Sequence, residues 1–295
     1  MASFHPGRPV VSRQATLPHG TLSWLECNGA SIASGPSGIV GAARAAAPSA
    51  APPIVLLHGI GSCAASWREM LTRLSAERRV LAWDAPGYAA SVPLPMDEPR
   101  AADYAHAAAA WLTAAEVAGP IVIGHSLGAL MAAALAARGG ITALVLVSPA
   151  QGYANATPTV RATKFNQRVD ALRSLGRERL AAERSARLCA PGAAPEAVAQ
   201  VHANMLAITE RGYSQAAWML ANDDIASHLA AVRCPVAVLC GEHDVITPPA
   251  GAKALAERVG APFHELPAAG HACYVEAPQA FEATLRAALG QAASR

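Results

Sequence analysis

The sequence lacks a large excess of either charge. Its 23 lysines and arginines nearly balance its 21 aspartates and glutamates, and only 15% of its 295 residues are charged. Nucleic acids and acidic membrane surfaces are usually bound through a clustered basic face, which a formal net charge of +2 does not by itself supply. The composition therefore predicts neither nucleic acid nor a membrane as a partner.

Paired cysteines and long apolar runs are also missing. The six cysteines include no C-x-x-C pair and none near a histidine pair at zinc-finger spacing, so we expect free thiols in a reducing compartment and no metal site. Residues 1–20 are not followed by an apolar block of signal-peptide length. The most apolar stretch, residues 121–137, is short for a bilayer crossing and contains a Gly-His-Ser turn. These features favour a cytoplasmic protein.

What the chain does have is enough apolar sequence for a large core. With 53% hydrophobic residues, it is expected to form one α/β domain with an insertion rather than two independent domains. Short continuous apolar runs, typical of strands buried on both faces of a parallel sheet, alternate with helical periods. This alternation predicts a mostly parallel sheet with helices on both faces. The runs cover residues 54–57, 80–83, 120–123, 144–147 and 235–240, and residues 263–266 are predicted to form a short last strand.

Residues 1–50 form a lead-in that departs from this alternation. Residues 1–20 contain Pro, Gly and Ser without an apolar period, which predicts irregular structure. Residues 21–32 alternate loosely and could supply edge strands. Residues 34–53 are rich in Gly, Ala, Pro and Ser, which indicates a flexible loop or hairpin insertion.

Residues 151–221 lose the strand signal and show helical periods instead. They predict a helical insertion between two segments of the core, residues 51–150 and 222–295. Within the insertion, residues 161–187 hold eight Lys or Arg against three Asp or Glu. A solvated surface explains this excess, and a basic lid over a carboxylate-bearing substrate is the alternative.

A Gly-x-Ser-x-Gly pattern at residues 124–128 lies between a predicted strand and a predicted helix. A serine on such a sharp turn has a strained backbone, and glycines two residues to either side avoid collisions with the turn. The hydroxyl of Ser126 would then be exposed at the carboxyl end of the sheet, near the N-terminal amides of the helix. The pattern predicts that Ser126 is a nucleophile. The alternative, a serine in an ordinary turn, is disfavoured by the flanking strand and helix.

A second glycine turn, His-Gly-Ile-Gly-Ser, begins at His58 directly after the first core strand. Such a turn places backbone amides at the carboxyl edge of the sheet, where open α/β sheets bind ligands. We therefore predict that the amides of Ile60 and Leu127 form an oxyanion hole. In the alternative, the glycines only allow the chain to turn and have no part in catalysis. His58 is predicted to bind the loop, and Asp84 to bind backbone amides rather than act in catalysis.

Four motifs occur in a fixed order: the His-Gly turn, the serine turn, Gly-x-x-Asp at residues 241–244, and Gly-His at residues 270–271. Together they resemble the α/β-hydrolase superfamily, over about residues 50–290, with the helical insertion where that family carries its cap. The resemblance implies an α/β-hydrolase fold in which Ser126 is the nucleophile, Asp244 the acid and His271 the base, in the order that the family uses. It implies no cofactor.

Other residues compete for the role of the acid. Glu242 lies two residues before Asp244, which we prefer because it matches the family position and because the chain turns away at the following Thr-Pro. His243 is adjacent to the acid and is predicted to be a loop histidine. No acid follows the strand that ends at Ser148, which removes the acid position that some relatives use.

A serine at the turn is unlike the dehalogenases and epoxide hydrolases of the superfamily, which carry aspartate there. The expected reaction is therefore acyl transfer to Ser126 from a small-molecule ester or lactone, followed by hydrolysis, as in carboxylesterases. The chain also resembles C–C bond hydrolases, but it lacks a tryptophan directly after His271. A non-enzymatic ligand receptor on this scaffold is the remaining alternative, disfavoured by the complete triad.

The substrate pocket is less defined by the sequence than the triad. Tyr153, Trp218 and Met219 lie near the ends of the helical insertion and could line an apolar acyl pocket, although core packing would explain each of them equally well. Neither the identity of the substrate nor the oligomeric state follows from the sequence.

Overall fold

The computed structural model describes residues 9–28 and 51–293. Within them the strands form a single eight-stranded sheet in the order β1-β2-β4-β3-β5-β6-β7-β8. The strands are β1 Val11–Leu17, β2 Gly20–Cys27, β3 Ile54–Leu57, β4 Val80–Trp83, β5 Ile121–His125, β6 Ala143–Val147, β7 Val236–Gly241 and β8 Phe263–Leu266.

Helices occupy connections between the parallel strands and follow the last of them. They are α1 Arg68–Leu74, α2 Ala101–Ala114, α3 Leu127–Ala137, α4 Pro158–Arg184, α5 Pro195–Met205, α6 Glu210–Asn222, α7 Ile225–Leu229, α8 Pro249–Val259, α9 Cys273–Glu276 and α10 Pro278–Ala293. Two 3₁₀ turns, Ala64–Trp67 and Ser185–Leu188, precede α1 and follow α4.

The sheet is mostly parallel, as the sequence predicts. β2 pairs antiparallel with β1 and β4, and every other pairing is parallel. Successive side chains of a strand point to opposite faces. In β3, Ile54 and Leu56 pack in the layer of α1 and α10, whereas Val55 and Leu57 pack in the layer of α2 and α3. Both faces are therefore buried, which is why the strands are continuously apolar.

The N-terminal lead-in differs from the prediction. Residues 11–17, expected to be irregular, form the edge strand β1, which pairs with β2 through a tight turn at Gly20, where φ is +123°. Most of the side chains of β1 are exposed, so an edge strand leaves little apolar signal in the sequence. The predicted loop insertion lies mainly in residues 29–50, which are outside the described residues.

Three helices, α4 to α6, occupy the predicted insertion between β6 and β7. α4 is broken at Gly176, whose φ of 72° and ψ of 164° are not helical. Glycine accepts this backbone without the steric cost that a side chain would add. The division into a core and an insertion at residues 151–221 stays a prediction. Among the described residues, no helix combines the length and the apolarity that a membrane crossing needs.

Candidate active site

Ser126 lies at the turn between β5 and α3 with a φ of 52° and a ψ of −116°. A positive φ in a residue with a side chain is strained and persists only when surrounding contacts enforce it. Here the Ser126 N–H donates to the Val147 carbonyl at 2.9 Å, and the Ser126 carbonyl accepts from the N–H groups of Ala129 and Ala150. The turn is thereby fixed to β6 and to the chain that follows it.

The glycines around this serine are required by close backbone contacts. A Cβ on Gly124 would collide with the carbonyl oxygen of Gly128, and a Cβ on Gly128 would collide with the carbonyl oxygens of Leu57 and His58. A Cβ on Gly59 would lie 3.0 Å from the Ser126 Cβ. The turn that carries Ser126 and the glycine turn that begins at His58 therefore pack closely against each other.

Replacing Gly128 by alanine should destabilise the protein by about 3 kcal/mol or more, because the new methyl group meets rigid backbone rather than a flexible side chain. Urea unfolding would measure the change. Gly290→Ala is the matched control, since a Cβ built there meets nothing within 4 Å. An equal loss of stability in both variants would contradict the steric explanation.

His271 and Asp244 form a buried pair at the same edge of the sheet. Their residues are 4% and 3% exposed, and the Nδ1–H of His271 donates to Asp244 Oδ2 at 2.9 Å. The N–H groups of Ile246 and Thr247 donate to Asp244 Oδ1 at 2.8 and 2.9 Å. Burial acts to raise the pKa of Asp244, but these hydrogen bonds and the nearby imidazole hold it well below its usual range. The carboxylate is therefore charged at neutral pH.

Thr247 takes part in this pair, a role that the sequence analysis missed. Its Oγ1 lies 2.9 Å from both Asp244 Oδ2 and the Ser148 carbonyl oxygen, and 3.2 Å from His271 Nδ1. An aspartate followed three residues later by threonine is a common local hydrogen-bonding pattern, so the signal was present in the sequence. The Thr247 hydroxyl is thus within hydrogen-bond distance of the carboxylate, next to the imidazole.

Ser126 and His271 line the same cavity. Among the described residues, no hydrogen bond joins the Ser126 hydroxyl to the imidazole, and in hydrolases without substrate this bond is often long or poorly aligned. The ring of His125 packs against the ring of His271 with centroids 4.7 Å apart, and its Nε2–H donates to the His271 carbonyl at 2.8 Å. His125 thus fixes the backbone and the ring of His271.

The two predicted oxyanion amides flank the serine. Leu127 is the first residue of α3, and Ile60 lines the same cavity as Ser126. Within the part of the chain that the structure describes, neither amide donates a hydrogen bond to another backbone group. The Tyr88 hydroxyl donates to the Ile60 carbonyl at 2.7 Å, which orients the glycine turn. Neither amide is therefore occupied by a backbone partner among the described residues.

Two cavities meet at Ser126. The larger, of about 450 Å³, lies between the carboxyl ends of the strands and the helical insertion, and the smaller, of about 220 Å³, extends towards α8. Both are lined by Ser126 and Ile60. No cluster of three His, Cys, Asp or Glu that could hold a metal ion occurs in residues 9–28 and 51–293.

Only one of the three predicted pocket residues lines these cavities. Tyr153 is part of the smaller one. Met219 is fully buried in the hydrophobic core, and Trp218 packs edge-on against Phe165 with ring centroids 5.5 Å apart. The expectation for Met219 and Trp218 is corrected, because helical periodicity shows that a face is apolar without showing whether it meets a cavity or the core.

Comparison with known proteins identifies the fold family. The family model described as Alpha/beta hydrolase family matches residues 54–284, which include every residue of the site described above. The chain belongs to this family. RutD of Escherichia coli O81 (strain ED1a), named for carbamate hydrolysis, is 29% identical over 249 residues, which cover 80% of this hydrolase and 90% of RutD.

Solved structures agree on the fold of this hydrolase. A thermophilic esterase from Thermogutta terrifontis, determined with malate bound, matches with a TM-score of 0.77 and 22% identity, covering 96% of this chain and 99% of that one. The enol-lactonase from Burkholderia xenovorans LB400 matches with a TM-score of 0.77 and 22% identity, covering 94% and 100%.

The competing acidic residues of the hydrolase lie in supporting positions. Asp84 accepts from the Ala64 N–H at 2.9 Å and from the Ser23 hydroxyl at 2.7 Å, so it holds loops together. Glu242 accepts from the Ala268 N–H at 2.9 Å and is exposed. His243, also exposed, lies 4.0 Å from Glu242. The structure therefore brings Asp244, and not these groups, to His271.

His58 and His125 are buried neutral imidazoles behind the site. The Ala85 N–H donates to His58 Nε2 at 3.0 Å, so the proton is on Nδ1, which donates to the Gly59 carbonyl at 2.8 Å. Burial lowers the pKa of His58 to about 4. Burial, together with His271, lowers the pKa of His125 to about 3. His58 holds the loop, as the sequence predicts.

These two histidines should make the hydrolase lose stability below pH 6.5. Their pKa values in the folded protein are below the unfolded value of 6.5, so the unfolded chain binds more protons as the pH falls towards 4. Each histidine should cost about 1.4 kcal/mol per pH unit across this range. Urea unfolding from pH 7 to 4.5 would measure the slope.

His58→Gln should reduce that slope by about half. The control is His106→Gln, because His106 is exposed and contacts water in both states. An unchanged slope in His58→Gln would show that other groups produce the acid sensitivity.

Proposed function

We propose that this protein is a serine hydrolase that cleaves a small carboxylic ester or lactone through an acyl-enzyme on Ser126. His271 is the general base and Asp244 the orienting acid. The observation that carries the proposal is the buried His271–Asp244 hydrogen bond of 2.9 Å at the cavity that Ser126 enters from a strained turn. We also propose residues 151–221 as the cap over that cavity, and a small molecule as the partner.

The mechanism follows from the tautomer of His271. Because Nδ1–H donates to Asp244, the lone pair of Nε2 is free to accept the proton of Ser126 as its oxygen attacks the carbonyl carbon. The carbonyl oxygen becomes an oxyanion, for which the amides of Ile60 and Leu127 are the proposed donors, each contributing about 3 kcal/mol. Nε2–H then protonates the leaving alcohol. Water, deprotonated by the same nitrogen, releases the acid and restores Ser126.

The two cavities that meet at the serine suit a substrate with two arms. An ester places its acyl part and its alcohol part on opposite sides of the scissile bond. The larger and smaller cavities both reach Ser126, share Ile60, Arg168 and Ile246, and otherwise have different linings. The arrangement supports cleavage in the middle of a substrate rather than at one end.

Covalent labelling with an uncharged fluorophosphonate tests the proposal directly. We expect the folded protein to be labelled on Ser126 and to hydrolyse members of a panel of p-nitrophenyl esters and lactones. Folded protein that is neither labelled nor active would favour a ligand receptor on this scaffold. Consumption of a chromophoric ring-cleavage diketone, with all esters left intact, would instead favour a C–C bond hydrolase.

A carbamate is a second candidate substrate, favoured by the name of the RutD relative. Its carbonyl carbon would be attacked by Ser126 in the same manner, and the alcohol or phenol would leave as it does from an ester. The nitrogen would stay on the enzyme in a carbamoyl-serine, which water then hydrolyses to carbamic acid. Comparing kcat/KM for a matched aryl carbamate and aryl ester separates the two. A higher value for the carbamate would replace the ester proposal while retaining the mechanism.

A further inference from the structure

The larger cavity has a strongly basic wall opposite the nucleophile. Four cationic side chains line it together with Ser126 and His271, and no aspartate or glutamate does. Three of these four residues are half-buried. The four are Lys164 and Arg168 on α4, Arg184 at its end, and Arg187 in the 3₁₀ turn that follows.

None of these four cations is neutralised within the described part of the chain. Other arginines of the same segment form surface ion pairs: Arg177 with Glu178 at 2.9 Å, and Arg179 with Glu183 at 2.9 Å. Arg173 likewise pairs with a glutamate of α6. Three arginines of the basic segment are therefore paired with glutamates, and Arg161 donates to Asn222 Oδ1 at 3.3 Å. The four cavity-lining cations have no described carboxylate within 4.0 Å.

Two of the cavity arginines are held in place by neutral acceptors. Arg184 Nη1 donates to the Tyr213 hydroxyl at 2.8 Å, and Tyr213 is itself 1% exposed. Arg168 Nη1 donates to the Lys164 carbonyl at 2.8 Å. Each guanidinium keeps further N–H groups for a ligand, because it has five. The break at Gly176 lets both halves of α4 contribute to the same wall.

The basic wall is also joined to the base. The Ala272 N–H donates to the Leu188 carbonyl, next to Arg187, at 2.6 Å. Glu276 accepts from the Ala190 N–H at 2.7 Å and from the Gly270 N–H at 2.6 Å. The chain that follows Arg187 is therefore held by these hydrogen bonds against the residues on either side of His271, and a ligand that contacts both would be positioned for attack.

We infer that the substrate of this hydrolase carries a carboxylate, which the basic wall formed by Lys164, Arg168, Arg184 and Arg187 binds while Ser126 attacks a separate ester or lactone carbonyl. The inference rests on the proposed function and adds a substrate class to it. A concave wall of uncompensated cations attracts an anion, and guanidinium groups pair with carboxylates through two parallel hydrogen bonds.

Matched pairs of esters that differ only in charge test this assignment. On the acyl side, methyl hydrogen glutarate is compared with methyl 5-methylhexanoate, in which an isopropyl group replaces the carboxylate. On the alcohol side, 4-acetoxybenzoate is compared with 4-acetoxybenzamide. We expect kcat/KM to be higher for the anionic ester by roughly tenfold or more in at least one pair. Added salt should reduce that ratio.

Arginine variants test whether the preference for anionic esters comes from the basic wall. Arg187→Gln is the cleanest, because no other described residue accepts a hydrogen bond from its guanidinium, and it should lower the anionic-to-neutral ratio by roughly tenfold. Arg184→Gln should do the same. Arg179→Gln is the matched control, since it removes an equal charge from the same basic segment at a position where that charge is paired with Glu183. It should leave the ratio unchanged.

A binding assay covers the case in which none of the four esters is turned over. Free glutarate should slow fluorophosphonate labelling of Ser126 at concentrations roughly tenfold lower than neutral glutaramide does, and Arg187→Gln should abolish the difference. Ester turnover with no charge preference in either pair, or equal protection by glutarate and glutaramide, would overturn the carboxylate inference and leave the serine hydrolase intact. Absence of both labelling and turnover would instead overturn the proposed function.

Discussion

Replacing Ser126 by alanine should lower kcat for p-nitrophenyl esters by at least roughly 10⁴-fold and abolish fluorophosphonate labelling. In the proposed mechanism, the Ser126 hydroxyl is the only group of the protein that attacks the carbonyl carbon. Its loss leaves the proposed oxyanion amides and His271 without a nucleophile. Residual activity would come from water attacking a bound substrate. Steady-state kinetics and mass spectrometry of the labelled protein would measure both effects.

The fold should survive this change. Ser126 holds its turn through backbone hydrogen bonds, which alanine keeps. Ser174→Ala, which removes an exposed hydroxyl that donates to the Asp170 carbonyl, is the control and should keep full activity. Substantial turnover by folded Ser126→Ala protein would rule out the mechanism.

Replacing Asp244 by asparagine should lower kcat by roughly 10⁴-fold, because it forces the wrong tautomer of His271. The N–H groups of Ile246 and Thr247 both donate to Oδ1 and can only donate, so the amide oxygen of asparagine must take that position. The NH₂ group then faces His271 Nδ1, which must accept from it. The imidazole proton moves to Nε2, and the nitrogen that should deprotonate Ser126 carries a proton.

Glu242→Gln is the matched control for this prediction, since it makes the same chemical change two residues away. Its side chain accepts from a backbone N–H of the loop after β8, so activity should change by only a few fold. The pH dependence of kcat/KM would be measured for both variants. If Glu242→Gln lost its activity while Asp244→Asn remained active, Glu242 rather than Asp244 would be the acid.

The sequence predicts the core of this fold well because its strands are buried on both faces. β3 and β4 have the predicted bounds, since a continuous apolar run between polar residues has few other structures open to it. β8 also has the predicted bounds, although it lies at the edge of the sheet and only Leu266 is buried. The edge strand β1 is missed for the opposite reason. Most of its side chains are in solvent, and its pairing with β2 is made by backbone groups that any sequence carries.

The residues of the predicted site also differ in how well the sequence predicts them. The positions of Ser126, Asp244 and His271 are recognisable because each follows a strand in a short motif with glycine. His125 supports His271 through a contact between residues distant in sequence, and Thr247 contacts Asp244 through a local pattern that the sequence analysis missed. Tyr213 contacts Arg184 of the basic wall and not these three residues. The pocket residues are the weakest prediction, because Met219 and Trp218 lie on helix faces that meet the core and another helix.

The sequence by itself determines the family, the order of the proposed nucleophile, acid and base, and an excess of five positive charges between residues 161 and 187, the difference between eight cations and three anions. Only the tertiary structure decides what that excess does. Charge is counted along the chain, but it acts through space, and the break at Gly176 together with the packing of α4 on α6 decides which side chains find a carboxylate. Four cations without such a partner face Ser126 across one cavity.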